Sequence, residues 1–298
     1  MKLSRIVSQM SDRRWRRFYW QRRFMRPETR ARVSERIARR RGEPAEASAE
    51  AAATAAALRG DGLADLGRLL SEAQCAELRA YFSEKEVTDP YREELKPFRP
   101  HDAGRPAASH VAYHADADVI GAPHLLGLAN DPRILAALHH YFGCMPVISY
   151  LAAWWSYPTD LGPQQAENFH RDVDDWSFIK LFVYLTDVGA ENGPHVYVRT
   201  SAASTRLNEI RRFRDEEVLK EFGADKLAVQ MAGAGSAFLE NTFGLHKGTQ
   251  VERGTRLMFQ AVYSLNPLPY GPVRPVAPFD RHLTGDDRLR RANRVYLA

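Results

Sequence analysis

"NFHRDVDDWSFIKLFVYLTDVGAENGPHVYV", residues 168–198, sets a charge-rich turn directly before an apolar run of strand character. The run "SFIKLFVYLTDV" is aromatic and β-branched, is bounded by turn residues, and reads as a buried strand. Outward from it the same signal repeats. "PVISYLAAWWSY" (146–157), "HVYVR" (195–199), "KLAVQ" (226–230), "GSAFLEN" (235–241) and "TRLMFQAVYS" (255–264) are short runs of that kind with turn residues between them. Helical patterns precede them. "LSEAQCAELRAYFSE" (70–84) spaces Leu70, Cys75, Leu78 and Phe82 for one helix face, with Ser71 as cap. "NDPRILAALHHYFG" (130–143) opens on Asp131 and Pro132 and stops at Gly143. One further helix is expected over 206–223, "RLNEIRRFRDEEVLKEFG". Helices first and many short strands afterwards predict an α+β fold whose strands form a sandwich or barrel.

The chain has 298 residues, 44% apolar and 27% charged, which suits one large globular domain or two small ones. No run of about 18 apolar residues predicts a spanning helix, and no secretory signal is expected. Cys75 and Cys144 have neither metal-type spacing nor a disulfide pattern, so a cytoplasmic setting is expected. Residues 1–41 carry 15 Lys/Arg against Asp12, Glu28 and Glu35, which gives them +12 and the remainder −7 of the overall +5. This basic N-terminal helical arm interleaves Arg with Trp15, Phe18, Tyr19, Trp20 and Phe24, and Pro27 divides it into two helical pieces. Such an arm suits an anionic membrane surface, at the inner face of a membrane, better than a specific nucleic acid. With the Ala-rich stretch 42–60, a helix or a linker, it defines an expected division into residues 1–57 and 58–298, the arm peripheral to the rest.

His170-Arg171-Asp172 resembles a kinase catalytic loop only superficially. The Asn position is Ser177, and neither a DFG segment nor a Gly-rich loop is present. In an extended segment, residues i and i+2 share a face, so His170 and Asp172 can both reach one ion. "ENTFGLHKGTQVERGTRLMFQ" (240–260) adds His246 after a strand-like run. Two imidazoles and one carboxylate on one side of an ion leave positions open for a bidentate 2-oxoacid and O2, the pattern of non-haem Fe(II) oxygenases. The far carboxylate of such a co-substrate needs a cation, and Arg256 opens the next strand. If "TQVERGT" is the turn, the strands bearing His246 and Arg256 can be antiparallel neighbours. Lys180, in phase with Phe182 and Tyr184, faces the barrel interior. There it either touches 2-oxoglutarate or an acidic substrate, or snorkels to water.

The stretches "HRD", "FVYLTDVGAENGPHVYV" and "GSAFLENTFGLHKGTQVERGTRL" make residues 58–265 resemble the phytanoyl-CoA dioxygenase family of Fe(II)/2-oxoglutarate oxygenases. The resemblance implies a double-stranded β-helix, a jelly-roll or cupin-like core with flanking helices. It implies His170, Asp172 and His246 as iron ligands and Arg256 as the 2-oxoglutarate anchor; Lys180, by its position alone, is a second cofactor-binding candidate. The implied activity is a dioxygenase reaction, hydroxylation of a small polar or biosynthetic substrate with release of succinate and CO2. Where many relatives carry Pro-Gly-Ser-His, this chain has "VRTSAAS" (198–204), so the substrate-side loop is not carried over. The alternative is a membrane- or nucleic-acid-binding module on a catalytically silent jelly roll. Among the remaining polar residues, Asp174 and Asp175 read as a solvated turn, His139 and His140 as helix surface, and His195 as structural. Trp154, Trp155 and Trp176 read as core. The irregular segment 85–123, with His101, His110 and His114, and His124 directly after it, is placed to lid the site.

Overall fold

Residue alternation along the strands builds the layers. The computed structural model describes residues 9–42, 48–278 and 287–298. Ten strands are described: β1 Leu63–Arg68, β2 Val87–Thr88, β3 Val111–His114, β4 Val147–Ser156, β5 Phe178–Tyr184, β6 His195–Val198, β7 Leu227–Gln230, β8 Ser236–Glu240, β9 His246–Gly248 and β10 Arg256–Ser264. Seven of them form one antiparallel sheet in the order β1-β8-β5-β10-β4-β3-β2, and β7-β6-β9 form a second. On the large sheet, Leu257, Phe259, Ala261 and Tyr263 of β10 join Ile179, Leu181 and Val183 of β5 in a core packed under helices. The opposite face turns Met258, Phe182 and Trp154 toward the small sheet, where they meet Tyr197 and Ala228. One face therefore supports the fold and the other encloses a space between sheets, the arrangement of a double-stranded β-helix.

The helices are α1 Arg13–Gln21, α2 Pro27–Arg41, α3 Ala49–Gly60, α4 Glu72–Ser83, α5 Asp116–Gly121, α6 Leu125–Ala129, α7 Pro132–Phe142, α8 Asp215–Phe222 and α9 Asp287–Asn293. Their ends follow the capping signals. Ser71 and Gln74 form a capping box at α4, Asp131 accepts from Arg133 N–H at α7, and Gly143 closes α7 in the left-handed region. Pro27 opens α2 and so separates the two arm helices. The Ala-rich stretch is helical from Ala49, while residues 43–47 lie outside the described residues, as do residues 1–8 of the arm.

Two readings of local structure are corrected. The helix expected over 206–223 is confined to α8; residues 206–214 run irregularly, with Leu207 at φ 45°. Their backbone is engaged elsewhere: the Arg171 guanidinium takes the carbonyls of Ser204, Arg206 and Leu207, and Phe213 N–H donates to Phe169 O. His139 is not on the helix surface but 3% exposed, on the face of α7 that packs inward. The arm also makes specific contacts with the body. Gln21 Nε2 donates to Val173 O at 2.7 Å, and the buried Arg30 donates to Asp175 O and to Phe24 O. Arg30 also lies 4.6 Å over the Phe243 ring.

Candidate metal centre and cofactor cavity

Two backbone hydrogen bonds place the first pair of ligands. His170 and His246 form an isolated antiparallel bridge, each N–H donating to the other's carbonyl at 3.0 Å. Asp172 N–H donates to Thr242 O at 2.9 Å, so the segment carrying H-x-D runs extended along the one that enters β9. Within the side chains, His170 Nδ1 lies 2.9 Å from Asn168 O and His246 Nδ1 lies 3.0 Å from Gly244 O. A carbonyl only accepts, so each Nδ1 carries a proton and Nε2 is the nitrogen each ring turns toward a metal. The Nε2 atoms converge on Asp172: His246 Nε2 is 3.2 Å from Oδ2 and His170 Nε2 is 3.6 Å from Oδ1. One ligand atom from each of the three lies within 4.8 Å of the others. Burial, then the neighbouring His246, holds the His170 imidazole well below its usual range, so it stays a neutral donor. Burial alone would raise the Asp172 carboxyl, but Lys180 and the two imidazoles outweigh it and hold it well below the carboxylate range. Two imidazoles and one carboxylate form a donor set that fits Fe(II).

These residues open onto a cavity of about 490 Å³. Arg256 lines it from β10, where it pairs in register with Ser156 of β4. Its Nη2 donates to Ser156 Oγ at 3.0 Å, but Nε and Nη1 are buried with no hydrogen-bond partner. Burying unpaired guanidinium donors is costly, and a carboxylate entering the cavity would satisfy both. The residues thus fit the distal carboxylate of 2-oxoglutarate. Gly193 of the N-G-P turn packs on the same guanidinium. It has φ 72°, and a Cβ there would meet Thr249 O at 2.5 Å and Arg256 Nη1 at 3.2 Å, so a side chain is excluded on two counts.

The expected hairpin between the strands of His246 and Arg256 is absent. β9 belongs to the small sheet and β10 to the large one, so the two residues face each other across the cavity. Residues 249–255 cross from sheet to sheet instead of closing a two-stranded turn.

Lys180 does point inward, and it is paired: Nζ is 2.6 Å from Asp172 Oδ2 and 3.3 Å from Asp174 Oδ2. Burial opposes its charge, yet these two carboxylates raise its pKa above the usual lysine value. The reading of Asp174 and Asp175 as a solvated turn is overturned. Asp174 accepts from Tyr270 OH at 3.0 Å, Asp175 accepts from Asn266 N–H at 2.7 Å, and both are buried. Nor is His195 only a scaffold residue. It lines the cavity, stacks on His246 with centroids 5.6 Å apart, and lies 2.9 Å from Glu240 Oε2. Burial pushes Glu240 up to about 8 and His195 down to about 3, so both are neutral near pH 7. The segment 85–123 contributes Tyr91, His110 and Tyr113 to the cavity wall. Trp154 is a wall residue too, stacked on Tyr113 at 5.3 Å, whereas Trp155 stays in the core.

Sequence reasoning missed Glu240 and Arg171. The signal for Glu240 was an acid in the otherwise apolar "SAFLE". Arg171 passed as the spacer of H-x-D. It is 3% exposed, and it donates to Phe243 O at 2.6 Å as well as to the carbonyls of the 204–207 loop. It ties that loop to the segment before β9.

No family profile and no curated protein sequence matches the chain. Among solved structures it is similar to the non-heme alpha ketoglutarate dependent epimerase SnoN from nogalamycin biosynthesis. The identity is 21%, covering 82% of this chain and 97% of that one, with a TM-score of 0.54. It is also similar to EctD from S. alaskensis with 2-oxoglutarate and 5-hydroxyectoine, at 19% identity over 74% of this chain and 79% of that one, TM-score 0.51. At such identities the likeness is one of fold. The core is a double-stranded β-helix with flanking helices. No helix among the described residues is long and apolar enough to cross a membrane.

Proposed function

We propose that the protein is an Fe(II)- and 2-oxoglutarate-dependent oxygenase, of the phytanoyl-CoA dioxygenase type, that hydroxylates a small polar substrate and releases succinate and CO2. One observation carries the reading: two imidazole Nε2 atoms and a carboxylate converge in the same cavity as an Arg with two buried, unpartnered donors. The neighbouring folds include enzymes described as alpha ketoglutarate dependent, which supports it. Bound iron would supply the oxidising chemistry, with 2-oxoglutarate as the co-substrate oxidised alongside. The chain's own residues do the rest. His170, Asp172 and His246 hold the ion, and Arg256 receives the distal carboxylate. Lys180 takes the Asp172 oxygen beside the site and so fixes that carboxylate's orientation. The apolar wall of Phe182, Met258 and Val262 keeps water from the reacting carbon.

The test is metal binding read directly. Titrated anaerobically with Fe(II), the wild type should bind one equivalent and His246→Ala should lose most of that affinity, because an incomplete ligand set holds an ion poorly. Succinate formation from 2-oxoglutarate should fall with it. A His246→Ala protein that bound iron and turned over like wild type would remove the assignment.

The membrane role of the arm is a separate proposal, supported by the exposed Tyr19 and Trp20 beside Arg side chains. Salt-sensitive binding to anionic liposomes tests it.

A further inference from the structure

We propose that Arg212 binds an anionic oxygen group, carboxylate or phosphate, of the prime substrate at the mouth of the cavity; the assignment rests on the oxygenase reading above. Placement comes from the backbone. Phe213 and Phe169 form an isolated antiparallel bridge, with Phe213 N–H donating to Phe169 O at 2.8 Å. Both rings are buried, each 1% exposed. In antiparallel pairing the adjacent residues, His170 and Arg212, stand opposite each other, and alternation turns both to the face away from the two rings. That face is the cavity, which both residues line. The loop cannot easily swing away, because Arg171 holds the carbonyls of Arg206 and Leu207 from below.

The neighbouring guanidiniums are committed elsewhere. Arg211 pairs with Glu209 and Glu217, Arg214 faces Glu217, and Arg206 donates to Glu221 O. Arg212 has no carboxylate or carbonyl partner among the described residues. It is an exposed fork-shaped donor set whose backbone is held opposite His170, where a planar or tetrahedral oxyanion can be taken bidentately. Arg256 cannot serve the same group, since its free donors suit the co-substrate and its third is held by Ser156. The same cavity is lined by the stacked Tyr113 and Trp154 and by Tyr150 and Gln260. That wall suits a hydroxyl- or amide-bearing body lying flat. The substrate class is therefore a small polar anion.

The experiment uses the full chain loaded with Fe(II) and 2-oxoglutarate and reads stimulation of succinate formation by matched pairs. N-acetyl amino acids are set against their primary amides, and sugar phosphates against the free sugars. The expected result is stimulation by charged members only, with the pair that responds telling carboxylate from phosphate. For the responding anion, Arg212→Gln should raise KM at least about tenfold with kcat little changed, and Arg212→Lys should recover part of the loss. Absorbance of the Fe(II)–2-oxoglutarate complex reports that the pocket of each variant is intact. Equal stimulation by neutral members, stimulation by none, or an unchanged KM in Arg212→Gln overturns the assignment while leaving the oxygenase reading in place. Failure of the wild type to form the Fe(II)–2-oxoglutarate complex overturns that reading, and Arg212 with it.

Discussion

Arg256 and Lys180 are two buried cations in one cavity, and their partners separate their roles. Lys180 lies against Asp172 and Asp174 and has little charge left to offer a carboxylate. Arg256 keeps two donors without partners. A bidentate pair needs the planar fork, which a lysine ammonium lacks. Arg256→Lys should therefore raise KM for 2-oxoglutarate by roughly tenfold to a hundredfold, equivalent to about 1.4–2.8 kcal/mol, with iron content nearly unchanged. Lys180→Met should act on the metal instead, because removing its ammonium leaves the Asp172 and Asp174 carboxylates facing each other without a cation. Steady-state kinetics and iron content, measured on both variants, check the division. The opposite pattern, with Lys180→Met abolishing 2-oxoglutarate binding and Arg256→Lys silent, would exchange the two roles. Both cations were legible in the sequence, Lys180 as inward-facing on its strand and Arg256 as the residue that opens the last one. Their partners were not, since Asp174 looked like part of a solvated turn until Tyr270 and Lys180 closed over it.

Among the elements, the arm and the 206–214 loop depart furthest from a local reading. Composition makes the arm look like an appendage, yet Gln21 and Arg30 grip Val173 and Asp175, just after the candidate ligand Asp172. Phe24 packs on Trp176 with centroids 5.5 Å apart, and Trp15 and Phe18 pack on Tyr270. Aromatic residues that suit a lipid surface are thus partly used inside the molecule. Arg30 holds the backbone at Asp175, three residues past Asp172, and so limits how far the Asp172 segment can move. Arg30→Met, which keeps the bulk and deletes the donors, should weaken Fe(II) binding and lower the melting temperature. Calorimetry and thermal unfolding read both effects. Unaltered iron affinity would return the arm to a peripheral role. The 206–214 loop gives the converse lesson. Its helical composition is real, but Arg171 and the Phe169–Phe213 bridge take up the backbone groups a helix would need, and tertiary contacts override propensity.

For the whole molecule, stability against acid depends on histidines buried without charge. His114 packs on Phe82 with ring centroids 4.4 Å apart, 6% exposed, and burial pushes its pKa down to about 4. In the unfolded chain it would take a proton near pH 6.5. The stability that this neutral ring contributes is thus fully present above about pH 6.5 and is lost as the pH falls toward about 4. Over that window the folded state should lose roughly 2–3 kcal/mol from this residue alone. His114→Phe should flatten the acid limb of a stability-against-pH curve measured by denaturant unfolding between pH 4 and 7. A limb as steep as wild type would assign the acid sensitivity to other groups.

The sequence by itself determined the strand-rich second half, the capped helices α4 and α7, the inward face of β5, and the shared face of His170 and Asp172. Each of these depends on spacing within a few residues, and spacing fixes which side of its own element a side chain takes. Tertiary structure alone decided that His246 reaches His170 and Asp172, that β9 and β10 lie in different sheets, that Lys180 is paired, that Asp174 and Asp175 are buried, and that the arm grips the loop after Asp172. Those outcomes depend on which distant segment arrives at a face, and the periodicity of one segment carries no record of its partner. Arg256 shows both halves: its strand phase is local, but its place opposite His246 exists only because residues 249–255 cross from one sheet to the other.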